Sequence, residues 1–282
     1  MTFQRDLPAT PEDLRRRLYQ GQIFLLPPTE RSLSLVDLVD SLISKAFQDL
    51  DDRRQAHQLE NHEFFVRVGG LRQEIFCSPR VLHATAKLIE ELGFQAEDIA
   101  VDPPKLRAVA HEGHENPAAA PVYYAHRDTW YANSQAMLNW WLPLDDLAEE
   151  ETFCFYPDYF QKPVPNDSET FDYDRWTSAG QGLRVGWQDA EASKKAAYPG
   201  VTEEVNVGHE MGFSCRRGEL LLFSGAHFHG TRKQSTGKTR FSIDFRTVDL
   251  ADHGADRGAP NVDNRSTGLA LIDFERLHDR TA

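Results

Sequence analysis

The chain has 282 residues, 40% of them hydrophobic and 11% aromatic, enough for a substantial core in one globular unit. Its formal charge of −13 excludes the basic surface that non-specific nucleic-acid binding requires. Its apolar runs, such as IFLL at 23–26, are far too short to span a bilayer.

The opening MTFQRDLPATPEDL has no basic region followed by an apolar run, so it does not read as a secretory signal. Cys77, Cys154 and Cys215 are odd in number and far apart, which fits a reducing, cytoplasmic compartment. Residues 1–100 read as mostly helical. Thr10-Pro11-Glu12-Asp13 is a helix start, with a capping hydroxyl, a proline and acids in the first turn. The segment 33–47 carries apolar residues at 35, 36, 39, 42, 43, 46 and 47, the periodicity of a helix with one buried face. Ser78-Pro79 opens a further helix that Gly93 ends.

From residue 104 to 248 the pattern changes to short runs rich in aromatic and branched residues. LRAVA (106–110), PVYYAH (121–126), AMLNWWLP (136–143), TFCFYP (152–157), ELLLF (219–223) and RFSIDFRTV (240–248) read as strands. Helices followed by many strands predict a mainly β jelly-roll core with flanking helices in a single domain. The stretch 161–200 reads as a long insertion and a candidate lid, and 249–282 as a loop and tail.

Within this frame three pieces carry chemistry. His126 and Asp128 are two apart, and on a strand continuing to 128 they would share a face. His229 follows 103 positions later. Arg240 stands eleven residues beyond His229, with Ser242 on the same face by alternation. Two histidines and a carboxylate leave open positions on an octahedral metal, an arrangement suited to Fe(II) oxygenase chemistry. An arginine fork suits a distal carboxylate, and a hydroxyl can add one hydrogen bond.

The assembled pattern resembles the Fe(II)/2-oxoglutarate-dependent oxygenases, nearest the phytanoyl-CoA dioxygenase and ectoine hydroxylase branch. The matching residues are His126-Arg127-Asp128, Gly218-Glu219, Phe223, His229-Gly230-Thr231 and Arg240-Phe241-Ser242. The resemblance covers residues 121 to 248, somewhat under half the chain. The resemblance implies a double-stranded β-helix, Fe(II) held by His126, Asp128 and His229, and 2-oxoglutarate and O₂ as cosubstrates. It implies Arg240 and Ser242 on the far carboxylate, release of succinate and CO₂, and hydroxylation of a small molecule such as an amino acid or secondary metabolite. A carboxylate at 128 stands against halogenation, since relatives that halogenate have a small residue there. The segment after H-x-D departs from the family pattern at Glu151-Thr152 and Tyr156-Pro157-Asp158, so substrate identity does not carry over.

Other residues invite two readings each. Asn139 and Thr231 would touch the cosubstrate or serve their strands. Arg107, Trp130 and Trp141 would line the substrate pocket or belong to the core, and alternation turns Trp141 inward with Asn139. HEGHEN (111–116) lacks the H-E-x-x-H spacing and reads as a loop at the pocket mouth. Arg240 has Asp244 as an ordinary salt-bridge partner. His227 offers an alternative ligand, giving a cupin-type metalloenzyme using His227 and His229. A non-catalytic jelly-roll binding protein is the remaining alternative.

Overall fold

A computed structural model describes residues 2–179, 198–206 and 208–280. The first helix, α1 (Pro11–Tyr19), begins where Thr10 Oγ1 accepts the Asp13 N–H at 3.1 Å. Helix α2 (Glu30–Ala46) opens with a reciprocal cap between Thr29 and Ser32. Helix α4 (Pro79–Glu91) is capped by Ser78, and Gly93 follows it with φ +85°. Between them, inside the stretch that reads as mostly helical, lies α3 (Asn61–Cys77), whose bounds no capping signal marks in the sequence. It buries Phe64, Val68, Leu71 and Ile75, a helical stripe interrupted in sequence by Gly69-Gly70.

Strands β1 (Phe3–Gln4), β2 (Ile23–Leu26), β3 (Ile99–Val101), β4 (Lys105–Val109), β5 (Met137–Pro143), β7 (Leu220–Ser224), β9 (Arg240–Asp249) and β10 (Glu275–Arg276) form one sheet. The order is β1-β2-β7-β5-β9-β3-β10, and β4 also pairs with β9. A second sheet joins β6 (Phe153–Phe155) to β8 (His229–Thr231). Alternation splits β5 between two layers. Leu138, Trp140 and Leu142 pack with the helices, whereas Trp141 packs inward with Phe153, Phe213 and Phe223. Trp140 is fully buried, stacks on Phe245 at 5.3 Å and donates its indole N–H to Thr247 at 2.8 Å. Truncating such a residue costs about 3–5 kcal/mol.

The result is a sheet core with flanking helices, as a jelly-roll-like chain requires, and the described strands do not close into a barrel. Two local expectations need correction. PVYYAH is not a strand: Pro117–Tyr123 is a 3₁₀ helix, and pairing resumes only as a single bridge between His126 and His229. Pro117 and Pro121 have no N–H to give a ladder, which explains the loss. In the expected loop 249–268, a short helix α6 (Leu250–Gly254) forms behind an Asp249 cap. The candidate lid at 161–200 includes helix α5 (Tyr173–Ala179); its residues 180–197 lie outside the described residues. No helix among the described residues is long and apolar enough to cross a membrane.

Candidate metal centre

His126 and His229 meet across the bridge, where each donates its backbone N–H to the other's carbonyl at 2.9 and 3.0 Å. The two chains approach closely there because residue 230 is glycine. A Cβ on Gly230 would lie 3.2 Å from the Ala125 Cα. Arg127 is extended (φ −109°, ψ 138°) and Asp128 begins a 3₁₀ turn. One extended residue therefore suffices to put His126 and Asp128 on the same side, without the full strand the spacing suggested.

The ring orientations are fixed by the backbone. His126 Nδ1 lies 2.8 Å from the Tyr124 carbonyl, and His229 Nδ1 lies 2.9 Å from the His227 carbonyl. A carbonyl only accepts, so each Nδ1 carries the proton and each Nε2 presents a lone pair. The Nε2 atoms stand 3.7 and 3.9 Å from the two oxygens of Asp128. One ligand atom from each residue falls within 4.8 Å of the others, and this is the one such cluster among the described residues. Burial pulls the His229 imidazole down to about 4, and neighbouring His126 acts in the same direction, so the ring is neutral at pH 7.

Asp128 is buried, which opposes its charge, yet the Arg246 guanidinium holds its carboxyl below the ordinary range. Asn139 Nδ2 donates to Oδ2 at 2.6 Å and Arg246 Nη2 to Oδ1 at 3.4 Å. Asn139 thus positions the carboxylate. Arg246 was missed in sequence, although alternation along β9 places it on the face of Arg240, Ser242 and Asp244. Behind the centre, Arg127 is 1% exposed and holds the site's back wall. It binds Asp263 at 2.9 Å and the carbonyls of Ala226, Tyr159 and Lys162 at 2.5, 2.6 and 2.9 Å.

Arg240 is 3% exposed and lies 5.9 Å from the Trp141 ring centre. Its Nε and Nη1 are buried with no hydrogen-bond partner among the described residues. Burial lowers this guanidinium to about 10. Ser242 Oγ accepts the Trp141 indole N–H at 3.0 Å, which leaves the hydroxyl proton to donate elsewhere. Asp244, the obvious salt-bridge partner for Arg240, is instead bound by Arg107 Nε and Nη2 at 2.5 and 2.9 Å.

The remaining sequence candidates fall elsewhere. Thr231 is two residues past His229 on β8, opposite Phe153. Trp130 is fully buried and gives its indole N–H to Asp263 at 2.8 Å, the same carboxylate that Arg127 binds. His227 is shut among Phe160 and Phe155 at 4.6 and 5.4 Å and stands outside the triad. His111, Glu112 and Gly113 of HEGHEN line a cavity of about 360 Å³ with His57, Phe64 and Tyr123.

No family model matches the chain, and no curated protein matches it. Among solved structures, the chain is similar to the epimerase SnoN in complex with Fe3+, alpha ketoglutarate and nogalamycin RO. The identity is 13%, the TM-score 0.48, and the match covers 94% of this chain and 99% of that one. It is also similar to EvdO2 from Micromonospora carbonacea var. aurantiaca complexed with 2-oxoglutarate, at 13% identity and TM-score 0.44, covering 92% and 100%. HygX from Streptomyces hygroscopicus with nickel and 2-oxoglutarate bound matches at 13% identity and TM-score 0.43, covering 91% and 97%.

Proposed function

We propose that the protein is a non-haem Fe(II)/2-oxoglutarate-dependent oxygenase that hydroxylates a small molecule, on a core read as a double-stranded β-helix. His126, Asp128 and His229 would hold the metal. Their donor set of two imidazoles and one carboxylate suits Fe(II) and leaves open positions. When bound, such a centre couples reduction of O₂ to decarboxylation of 2-oxoglutarate, giving succinate and CO₂, and to oxidation of a substrate C–H bond.

The observation that carries this reading is Arg240. A simple metal-binding protein has no need of a buried guanidinium with two nitrogens unpartnered among the described residues, on the strand face that reaches the triad. A dicarboxylate cosubstrate supplies the missing acceptor, with Ser242 free to add a hydrogen bond. Trp141 and the surrounding phenylalanines keep water from that seat, which strengthens the ion pair. Asn139 and Arg246 hold Asp128 by its two oxygens and so orient the metal's carboxylate ligand. The order H-x-D, H-G-T, R-x-S supports a place beside the phytanoyl-CoA dioxygenase and ectoine hydroxylase branch. Three unpaired cysteines support the cytoplasm as its compartment.

The test is uncoupled turnover. Protein loaded with Fe(II) and given 2-oxoglutarate and air should release succinate slowly, and His126→Ala should not. If the iron-loaded parent released no succinate, or the variant released as much, the reading would fail.

A further inference from the structure

The triad is not equally closed on all sides. The side chains of Asp128 and His229 are 7% and 11% exposed, whereas His126 is 23% exposed. Arg107, on the neighbouring strand β4, is 31% exposed. Access to the metal position therefore runs past His126, and what stands there is aromatic. The Tyr131 ring lies 5.5 Å from His126. Tyr198 meets Tyr131 at 6.1 Å and 84°, and Trp176 meets Tyr198 at 6.4 Å and 56°. Unlike Trp130 and Trp140, these three side chains are only half-buried. Rings set at steep angles make a corner that offers a face and an edge to a third ring.

A cation belongs to the same corner. Arg107 spends Nε and Nη2 on the two oxygens of Asp244, and its Nη1 has no hydrogen-bond partner among the described residues. It pairs across from Ser242 and holds Asp244, the neighbour of Arg246 on the same face of β9, and Arg246 Nη2 lies 3.4 Å from Asp128 Oδ1. The pair with Asp244 fixes the plane of the guanidinium, so its free edge is pre-oriented.

We propose that this corner is the substrate seat and that it selects a ring-bearing molecule with an acidic oxygen. The ring rests on Tyr131, Tyr198 and Trp176, and the oxygen accepts from Arg107 Nη1. The inference rests on the oxygenase reading only for what then happens to the molecule. Binding itself needs neither iron nor cosubstrate.

The experiment uses the full chain, metal-free, titrated with three probes and followed by ligand-observed saturation-transfer NMR. 2-Naphthoate has ring and charge, 2-naphthylmethanol the ring alone, and hexanoate the charge alone. 2-Naphthoate should bind roughly tenfold tighter than either of the others. Trp176→Ala and Tyr198→Ala should each weaken it by about 3- to 10-fold. Arg107→Gln should erase the preference for naphthoate over naphthylmethanol. Arg240→Met should leave naphthoate binding intact; a loss there would put the probe in the cosubstrate seat and overturn the assignment. Equal binding of all three probes, or variants that bind as the parent does, would overturn it as well. The iron and 2-oxoglutarate spectrum is read separately on the same preparations. Naphthoate binding without that spectrum would sink the oxygenase reading alone, and the spectrum without naphthoate binding would sink this one alone.

Discussion

Arg240→Met separates a cosubstrate seat from a structural arginine. Arg240 is 3% exposed and two of its nitrogens meet no acceptor among the described residues. A buried donor without a partner costs about 1–3 kcal/mol, so two cost roughly 2–6 kcal/mol. The Trp141 ring, 5.9 Å from the guanidinium carbon, returns about 0.5–2 kcal/mol. The ligand-free protein thus carries a net cost on the order of 3 kcal/mol at this residue, less where water enters. Methionine keeps much of the stem and removes the charge. The ligand-free variant should therefore melt above the parent, by about 2–4 °C for each kcal/mol recovered. Added 2-oxoglutarate should reverse the order. A carboxylate closing the orphaned donors contributes about 1.5–3 kcal/mol per charged hydrogen bond, so the variant should bind it roughly 10- to 100-fold more weakly. Thermal melts at fixed Mn(II) across a 2-oxoglutarate titration read both effects. A variant that melts below the parent without ligand, or gains as much from 2-oxoglutarate, would refute the reasoning.

Further outcomes follow from the same contacts. Asn139→Leu removes the 2.6 Å donor to Asp128 and should lower Mn(II) affinity by about 10- to 100-fold, measured by calorimetry. His227→Leu should keep full metal occupancy by elemental analysis, since His227 lies outside the triad; a loss of metal would restore the cupin alternative. Arg127→Met leaves the Asp263 carboxylate buried and unpaired, so urea unfolding should show a loss of about 3–5 kcal/mol. Burial opposes the charge on Asp244, but Arg107 prevails and lowers its pKa from 3.8. A carboxyl lowered by folding contributes stability above its unfolded pKa and loses it as the pH falls through the folded one. The stability gap between the parent and Arg107→Gln should therefore be widest at pH 6 and shrink below about pH 4; a gap that grows in acid would contradict the pairing.

Local rules made much of this molecule readable. The caps at Thr10 and Ser78 announced their helices because capping is a contact three residues long. Alternation along β9 and β5 turned Arg240, Ser242 and Trp141 inward before any contact was known. The misses share a different physics. His126 is held by one bridge to a residue 103 positions away, so the surrounding strand was inferred where prolines forbid it. Helix α3 was hidden by Gly69-Gly70, whose local cost is overridden by the tertiary burial of Phe64, Val68, Leu71 and Ile75. The partners of Arg127 and Asn139 lie in loops and 3₁₀ turns far along the chain or around a turn, and composition does not encode such meetings.

The central claim is that one site holds both iron and 2-oxoglutarate. The direct measurement is the visible spectrum after anaerobic addition of Fe(II) and then 2-oxoglutarate. The parent should develop the weak metal-to-ligand charge-transfer band of a chelated 2-oxo acid, and both Asp128→Ala and Arg240→Met should weaken it. Iron that binds without any band, or a band indifferent to both substitutions, would contradict the claim.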